Sequence, residues 1–93
     1  MIQSFRSKET EKLWLEIPSR KLPGEIQRAA LRKLIGLNQA EKIEDLRVPP
    51  GNRLEALKGN RAGAHSIRIN DQWRIGVVWR NGDAHEVEIV DYH

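Results

Sequence analysis

The sequence predicts an α+β fold, two N-terminal helices packed on a mainly antiparallel, twisted sheet. Three observations carry this reading. Apolar residues recur at helical spacing between Leu13 and Leu37. From His65 onward they alternate in steps of two, the period of a strand with one buried face. Between the two regimes stands Pro49-Pro50-Gly51-Asn52, a rigid loop that neither helix nor central strand accommodates.

Each element follows in order. Residues 2–6 alternate and read as a short strand. Ser7 is a good N-cap, and Glu9 and Glu11 fall in the positive first turn of a helix. Leu13, Trp14 and Ile17 form its apolar stripe, and Pro18 is expected to end it. Pro23-Gly24 opens a longer helix with Ile26, Ala30, Leu34 and Leu37 on one face and Arg28, Arg32 and Lys33 outside it; Asn38 is its expected stop. Ile43, Leu46 and Val48 indicate a helical turn in the connector. Residues 53–57 read as a short strand, followed by the turn-rich Lys58 to Gly63. Three alternating runs close the chain, with His65, Ile67 and Ile69, then Trp73, Ile75, Val77 and Trp79, then His85, Val87 and Ile89 facing the helices.

The strand register can be argued from the faces. A two-residue turn at Asn81-Gly82 would set Val77 opposite Glu86, whereas a three-residue loop, Asn81-Gly82-Asp83, pairs Val77 with Val87 and Ile75 with Ile89. The second is expected, with a bulge, because a one-residue slip exchanges the two faces. A loop at Asn70-Asp71-Gln72 pairs Ile67 with Ile75 and sets Arg68 opposite Arg74 on the outer face. Like charges so paired cost up to roughly 1 kcal/mol. Tyr92 falls opposite Gln72 beside them, so the pair reads as an anion site, with Glu86 and Glu88 expected to serve Arg80.

Composition limits the function. The 93 residues are read as a single domain, 1–93, with too little interior for a large cofactor pocket. With 39% hydrophobic and 31% charged residues the chain is globular rather than disordered. It has no cysteine, hence no disulfide scaffold, thiolate metal site or cysteine nucleophile. It shows no signal-peptide pattern and no apolar run of membrane-spanning length, so a cytoplasmic location without membrane contact is expected. The net charge of +3 hides an uneven distribution: +2 over residues 1–46, +5 over 47–82 and −4 over 83–93. Six of the seven middle cations are arginine, the side chain suited to bidentate phosphate contacts.

No phosphate-binding glycine loop is present, because Lys58-Gly59-Asn60-Arg61-Ala62-Gly63 lacks the spacing and the following helix. No metal site is expected; His65 and His85 fall on apolar faces and His93 is terminal. What remains is Asp91-Tyr92-His93 near Arg74, with Glu55 and Lys58 on the preceding strand and turn. RNA can be cut by its own 2′-hydroxyl, which needs a base, an acid and cations for the phosphorane, but neither metal nor enzyme nucleophile. These residues supply each type of group.

Two stretches in particular, Pro49 to Gly63 and Ser66-Ile67-Arg68-Ile69-Asn70-Asp71-Gln72-Trp73-Arg74-Ile75, with the terminal Val87 to His93 and the opening Met1-Ile2-Gln3-Ser4-Phe5, strongly resemble the HigB toxins of the RelE/ParE superfamily, particularly the GraT branch. The resemblance implies a RelE-like microbial RNase toxin fold. It also implies a bacterial toxin that cleaves mRNA in the ribosomal A site, using no cofactor. A HigA-type helix-turn-helix antitoxin would neutralise it, and the complex would bind operator DNA. Arg74 then matches the family's phosphate-stabilising arginine, Asp91, Tyr92 and His93 its C-terminal catalytic group, and Lys58 a basic residue on RNA. Glu55 departs from the pattern, since a family member has histidine there; it is expected either as a base or as a structural partner of Arg53 or Lys58. Arg53, Arg61, Arg68 and Arg80 are expected to grip the RNA backbone. Two alternatives are a gyrase-targeting toxin of the ParE type without nuclease activity and a non-catalytic basic nucleic-acid-binding module.

Overall fold

The computed structural model describes residues 1–59 and 63–91. Two helices pack on one face of a four-stranded, fully antiparallel sheet, as the sequence predicts. The first, α1, spans Lys8–Trp14, and the Ser7 hydroxyl caps it by accepting from the Thr10 N–H. It stops earlier than expected. Glu16 takes a left-handed φ of 58°, its N–H bonds to Leu13 O at 3.0 Å, and Ile17 N–H reaches Lys12 O at 2.8 Å. This is a Schellman closure, which satisfies the last carbonyls before Pro18 can act. Ile17 therefore lies beyond the helix, 47% exposed.

The second helix, α2, spans Gly24–Gln39 and buries Ile26, Ala30, Leu34 and Leu37, the stripe read from the sequence. Asn38 does not stop it. Its Oδ1 accepts from the Ile2 N–H at 2.9 Å and so ties down the N-terminus. Residues 2–6 form no full strand. They make two parallel bridges, Ile2 to Ala84 and Phe5 to Val87, against the last strand of the sheet. Two short 3₁₀ turns, Ile43–Arg47 and Pro50–Asn52, make the connector.

The strands are β1 Glu55–Ala56, β2 Ala64–Arg68, β3 Trp73–Arg80 and β4 Asp83–Asp91, paired in that order. The β2–β3 register is the expected one, with Ile67 opposite Ile75 and Arg68 opposite Arg74. The β3–β4 connection corrects the expected three-residue loop. Arg80 pairs with Asp83 and Trp79 with Ala84, so the turn is the two-residue Asn81-Gly82, both at positive φ (52° and 78°). That conformation matches the twist of the flanking strands. The face conflict is resolved inside β4 instead. Between Gly76 and Val78 the register shifts by one, Glu86 takes φ 51°, and its N–H bonds to the Ser4 hydroxyl at 2.9 Å. Beyond this bulge Ile75 meets Ile89 as predicted. The bulge lets Ala84 and Val87 both face the core, and it moves His85 to the opposite face, against Val78.

The core lies between the helices and the inner faces of β2 to β4, where Ile26, Leu34, Leu37, Ile67, Ile75, Val77 and Val87 are almost wholly inaccessible. Burying each such side chain is worth about 1.5–3 kcal/mol. Thr10 adds a polar tie from α1, its Oγ1 accepting from the Ile89 N–H at 2.9 Å. One glycine is obligatory: a Cβ on Gly63 (φ 80°) would stand 2.5 Å from Trp79 O.

Candidate functional site

Strand parity sends Arg74, Ser66 and Glu55 to the sheet face away from the helices. Glu55 pairs with Ser66, and Ser66 is one diagonal step from Arg74. Arg74 is buried there, its side chain 11% exposed. Its Nε donates to Ser66 Oγ at 2.8 Å, and its Nη2 donates to Arg53 O at 2.7 Å and to Ser66 O at 3.3 Å. Glu55 Oε2 stands 3.9 Å from Nη2. Among the described residues Nη1 has no hydrogen-bond partner. The guanidinium is thus held in one orientation before any ligand arrives, so little side-chain entropy is left to lose on binding.

The clamp depends on local backbone. Arg53 closes the second 3₁₀ turn in the left-handed region, at φ 45° and ψ 57°, and this presents its carbonyl to Arg74. The Pro49-Pro50-Gly51-Asn52 loop accordingly positions the site as well as dividing the chain.

Arg68 stands directly opposite Arg74 on the outer face. Its guanidinium pairs with Asp71, with Nη2 2.5 Å from Oδ1. This hydrogen bond and the arginine's charge hold the Asp71 carboxyl below its ordinary range. Glu88 lies 3.9 Å from Arg6 rather than serving Arg80. Arg80 stands at the hairpin end of β3, opposite Asp83, about 20 Å along the strand from Arg74. Glu55 pairs with Arg74, not with Arg53 or Lys58.

Lys58 is exposed just after β1, beyond the Leu57 N–H that bonds Ala64 O at 2.8 Å. Asp91 pairs with Trp73, one position past the Val90 that faces Arg74, and its Oδ2 accepts from Gln72 Nε2 at 3.1 Å. Its parity is that of the helix-packed face. Arg61, Tyr92 and His93 lie outside the described residues. Ser66 is the site residue that sequence reasoning passed over. The available signal was a small hydroxyl in the middle of a strand, two positions before an arginine on the same face. Among the described residues no group of three or more His, Asp or Glu side chains is placed to hold a metal.

Fold and site together define a small basic α+β protein with one immobilised arginine on the sheet face away from the helices. The family model described as a RelE-like toxin of the type II toxin–antitoxin system HigB matches residues 3–93. The chain is 41% identical over 85 residues to Toxin HigB-1 of Vibrio cholerae serotype O1, covering 90% of each protein. It is 32% identical over 97 residues to the Endoribonuclease HigB of Proteus vulgaris, covering all of both. The chain belongs to the HigB-like family, the RelE-like toxins of type II toxin–antitoxin systems. Membership in a type II system implies an antitoxin partner. Among the described residues no helix is long and apolar enough to cross a membrane.

Proposed function

We propose that this toxin is a metal-independent endoribonuclease that cuts mRNA on the ribosome and thereby inhibits translation in the cytoplasm. One observation carries the reading: a buried arginine, clamped by Ser66 and the Arg53 carbonyl, on the sheet face away from the helices and beside a carboxylate. The nuclease name of the Proteus vulgaris relative supports it.

The chemistry is a transfer within the substrate. A base takes the proton of the 2′-hydroxyl, the O2′–P bond forms, and the P–O5′ bond breaks. An acid protonates the departing 5′-oxygen, leaving a 2′,3′-cyclic phosphate and a 5′-hydroxyl. Arg74 stabilises the charge that develops on the phosphorane oxygens, where a fixed donor contributes most. Glu55, 3.9 Å from that guanidinium, accepts the 2′-hydroxyl proton in this reading. Tyr92 or His93 supplies the acid, with Asp91 beside them in the chain. Lys58 adds phosphate charge stabilisation, and Arg53, Arg61, Arg68 and Arg80 contact the RNA backbone. The ribosomal A site aligns the mRNA, and a HigA-type helix-turn-helix antitoxin neutralises the toxin and carries it to operator DNA.

Arg74→Ala is expected to abolish growth inhibition and mRNA cleavage, read by primer extension after induction, while the purified variant keeps a cooperative unfolding transition. Deleting Tyr92-His93 is expected to do the same. A folded, fully toxic Arg74→Ala variant, or induction of DNA damage without RNA cuts, would overturn the reading in favour of a gyrase poison.

A further inference from the structure

On the other side of the Pro49–Asn52 loop a groove of about 330 Å³ opens between α2 and the connector. Its walls are Arg32, Lys33 and Gly36 of α2 facing Val48, Pro49 and Asn52. Asn52 is buried, and its orientation is set by chemistry. Nδ2 donates to Leu46 O at 3.0 Å and to Val48 O at 3.3 Å, so Oδ1 must point away and accepts from Lys33 Nζ. The lysine is thereby held at the groove by a neutral amide. Among the described residues no carboxylate lies within ion-pairing distance of it. Asp45, which also borders the groove, is committed to the Glu41 and Lys42 N–H groups. Burial pushes the Lys33 ammonium below its ordinary range, and the charges of Arg32 and Arg68 push in the same direction. Such a cation gains most from an anion that replaces its lost water.

The rest of the groove is shaped to admit something. Gly36 lies one turn beyond Arg32 and Lys33 on α2. Glycine inside a helix is about 1 kcal/mol worse than alanine. No neighbour demands it, since a Cβ there would meet nothing within 4 Å. Val48, 74% exposed, and Pro49 give an apolar wall opposite. Cations on one wall and apolar side chains on the other complement a nucleotide, with its phosphate and base.

We propose that this groove is a second RNA subsite, holding one nucleotide of the RNA outside the Arg74 site. Its phosphate sits on Lys33 and Arg32 and its base against Val48 and Pro49, over Gly36. The assignment rests on the nuclease reading. The test is the affinity of the full-length toxin for a single-stranded, 2′-O-methylated RNA oligonucleotide, which binds but is not cut, measured against salt. Lys33→Gln is expected to weaken binding about tenfold and to lower the salt slope by about one. Gly36→Leu, which fills the groove without removing a cation, is expected to weaken binding about as much with the slope unchanged. It guards against the chance that Lys33→Gln disturbs Asn52. Wild-type affinity in both variants overturns the subsite. So does a loss of antitoxin binding with RNA binding intact, which would assign the groove to the protein partner. Arg74→Ala separates the two readings. If it stops cutting while both groove variants bind normally, only the groove assignment fails; if it still cuts, the nuclease reading fails.

Discussion

Ser66 and Arg74 show how much one hydroxyl can decide. Ser66 is wholly buried, and its Oγ is the sole acceptor for Arg74 Nε among the described residues. Ser66→Ala leaves a buried charged donor without that partner, which is expected to destabilise the fold by about 1–3 kcal/mol in urea unfolding. Cleavage is also expected to fall, because the guanidinium is then held through Nη2 alone and is less firmly oriented. Ser66→Thr, which keeps the oxygen, is expected to retain more of both. Sequence reasoning identified Arg74 because an arginine on an outward strand position is visible in the alternation. It did not identify Ser66, whose importance comes from a neighbour eight positions away. The same holds for the pairing of Arg68 with Asp71. Alternation shows that Arg68 and Arg74 oppose each other, but only the loop geometry brings Asp71 close enough to take one of them.

Among the elements, Gly36 of α2 and Gly63 before β2 behave oppositely. Gly36 stands in a helix with open space beyond its Cβ position, whereas Gly63 (φ 80°) packs against the Trp79 carbonyl. Gly36→Ala is expected to stabilise the protein by about 0.5–1 kcal/mol, and Gly63→Ala to destabilise it by more than that, both read as shifts in the urea midpoint. The β3–β4 hairpin teaches a related lesson. The Asn81-Gly82 dipeptide specified its two-residue turn correctly, and the apolar pattern specified the pairing of Ile75 with Ile89 correctly. The two requirements differ by one residue. The bulge at Glu86 accommodates both, and its N–H is satisfied by Ser4 from the N-terminal segment. No local pattern announces that compensation, since the stabilising hydroxyl lies 82 positions away.

Across the whole molecule, acidic groups hold chain segments together. Asp83 is kept below its ordinary carboxylate range first by the N-terminal ammonium, which it pairs with at 3.3 Å. Asp71 is lowered by Arg68 and Glu9 by the Ser19 hydroxyl. Each is ionised in the fold at pH values where the unfolded chain would bind a proton. Their contribution is therefore present above about pH 4 and is lost as pH falls through the lowered values. The urea midpoint is expected to drop below about pH 4, and the slope of that drop to flatten in an Asp71→Asn, Asp83→Asn double variant. A slope unchanged by the double substitution would remove these carboxylates as the cause.

The chain's periodicities alone determined two helices, their buried stripe from Ile26 to Leu37, an antiparallel sheet and an outward Arg74. These follow from local sterics and from which face must leave water, and both are written in the spacing of apolar residues. The tertiary structure decided what that arginine touches. Ser66, the Arg53 carbonyl and Glu55 reach it from three different segments, and Asn52 aims Lys33 into the neighbouring groove. Contacts of this kind depend on side chains converging from distant parts of the chain, and no single window of sequence contains both partners.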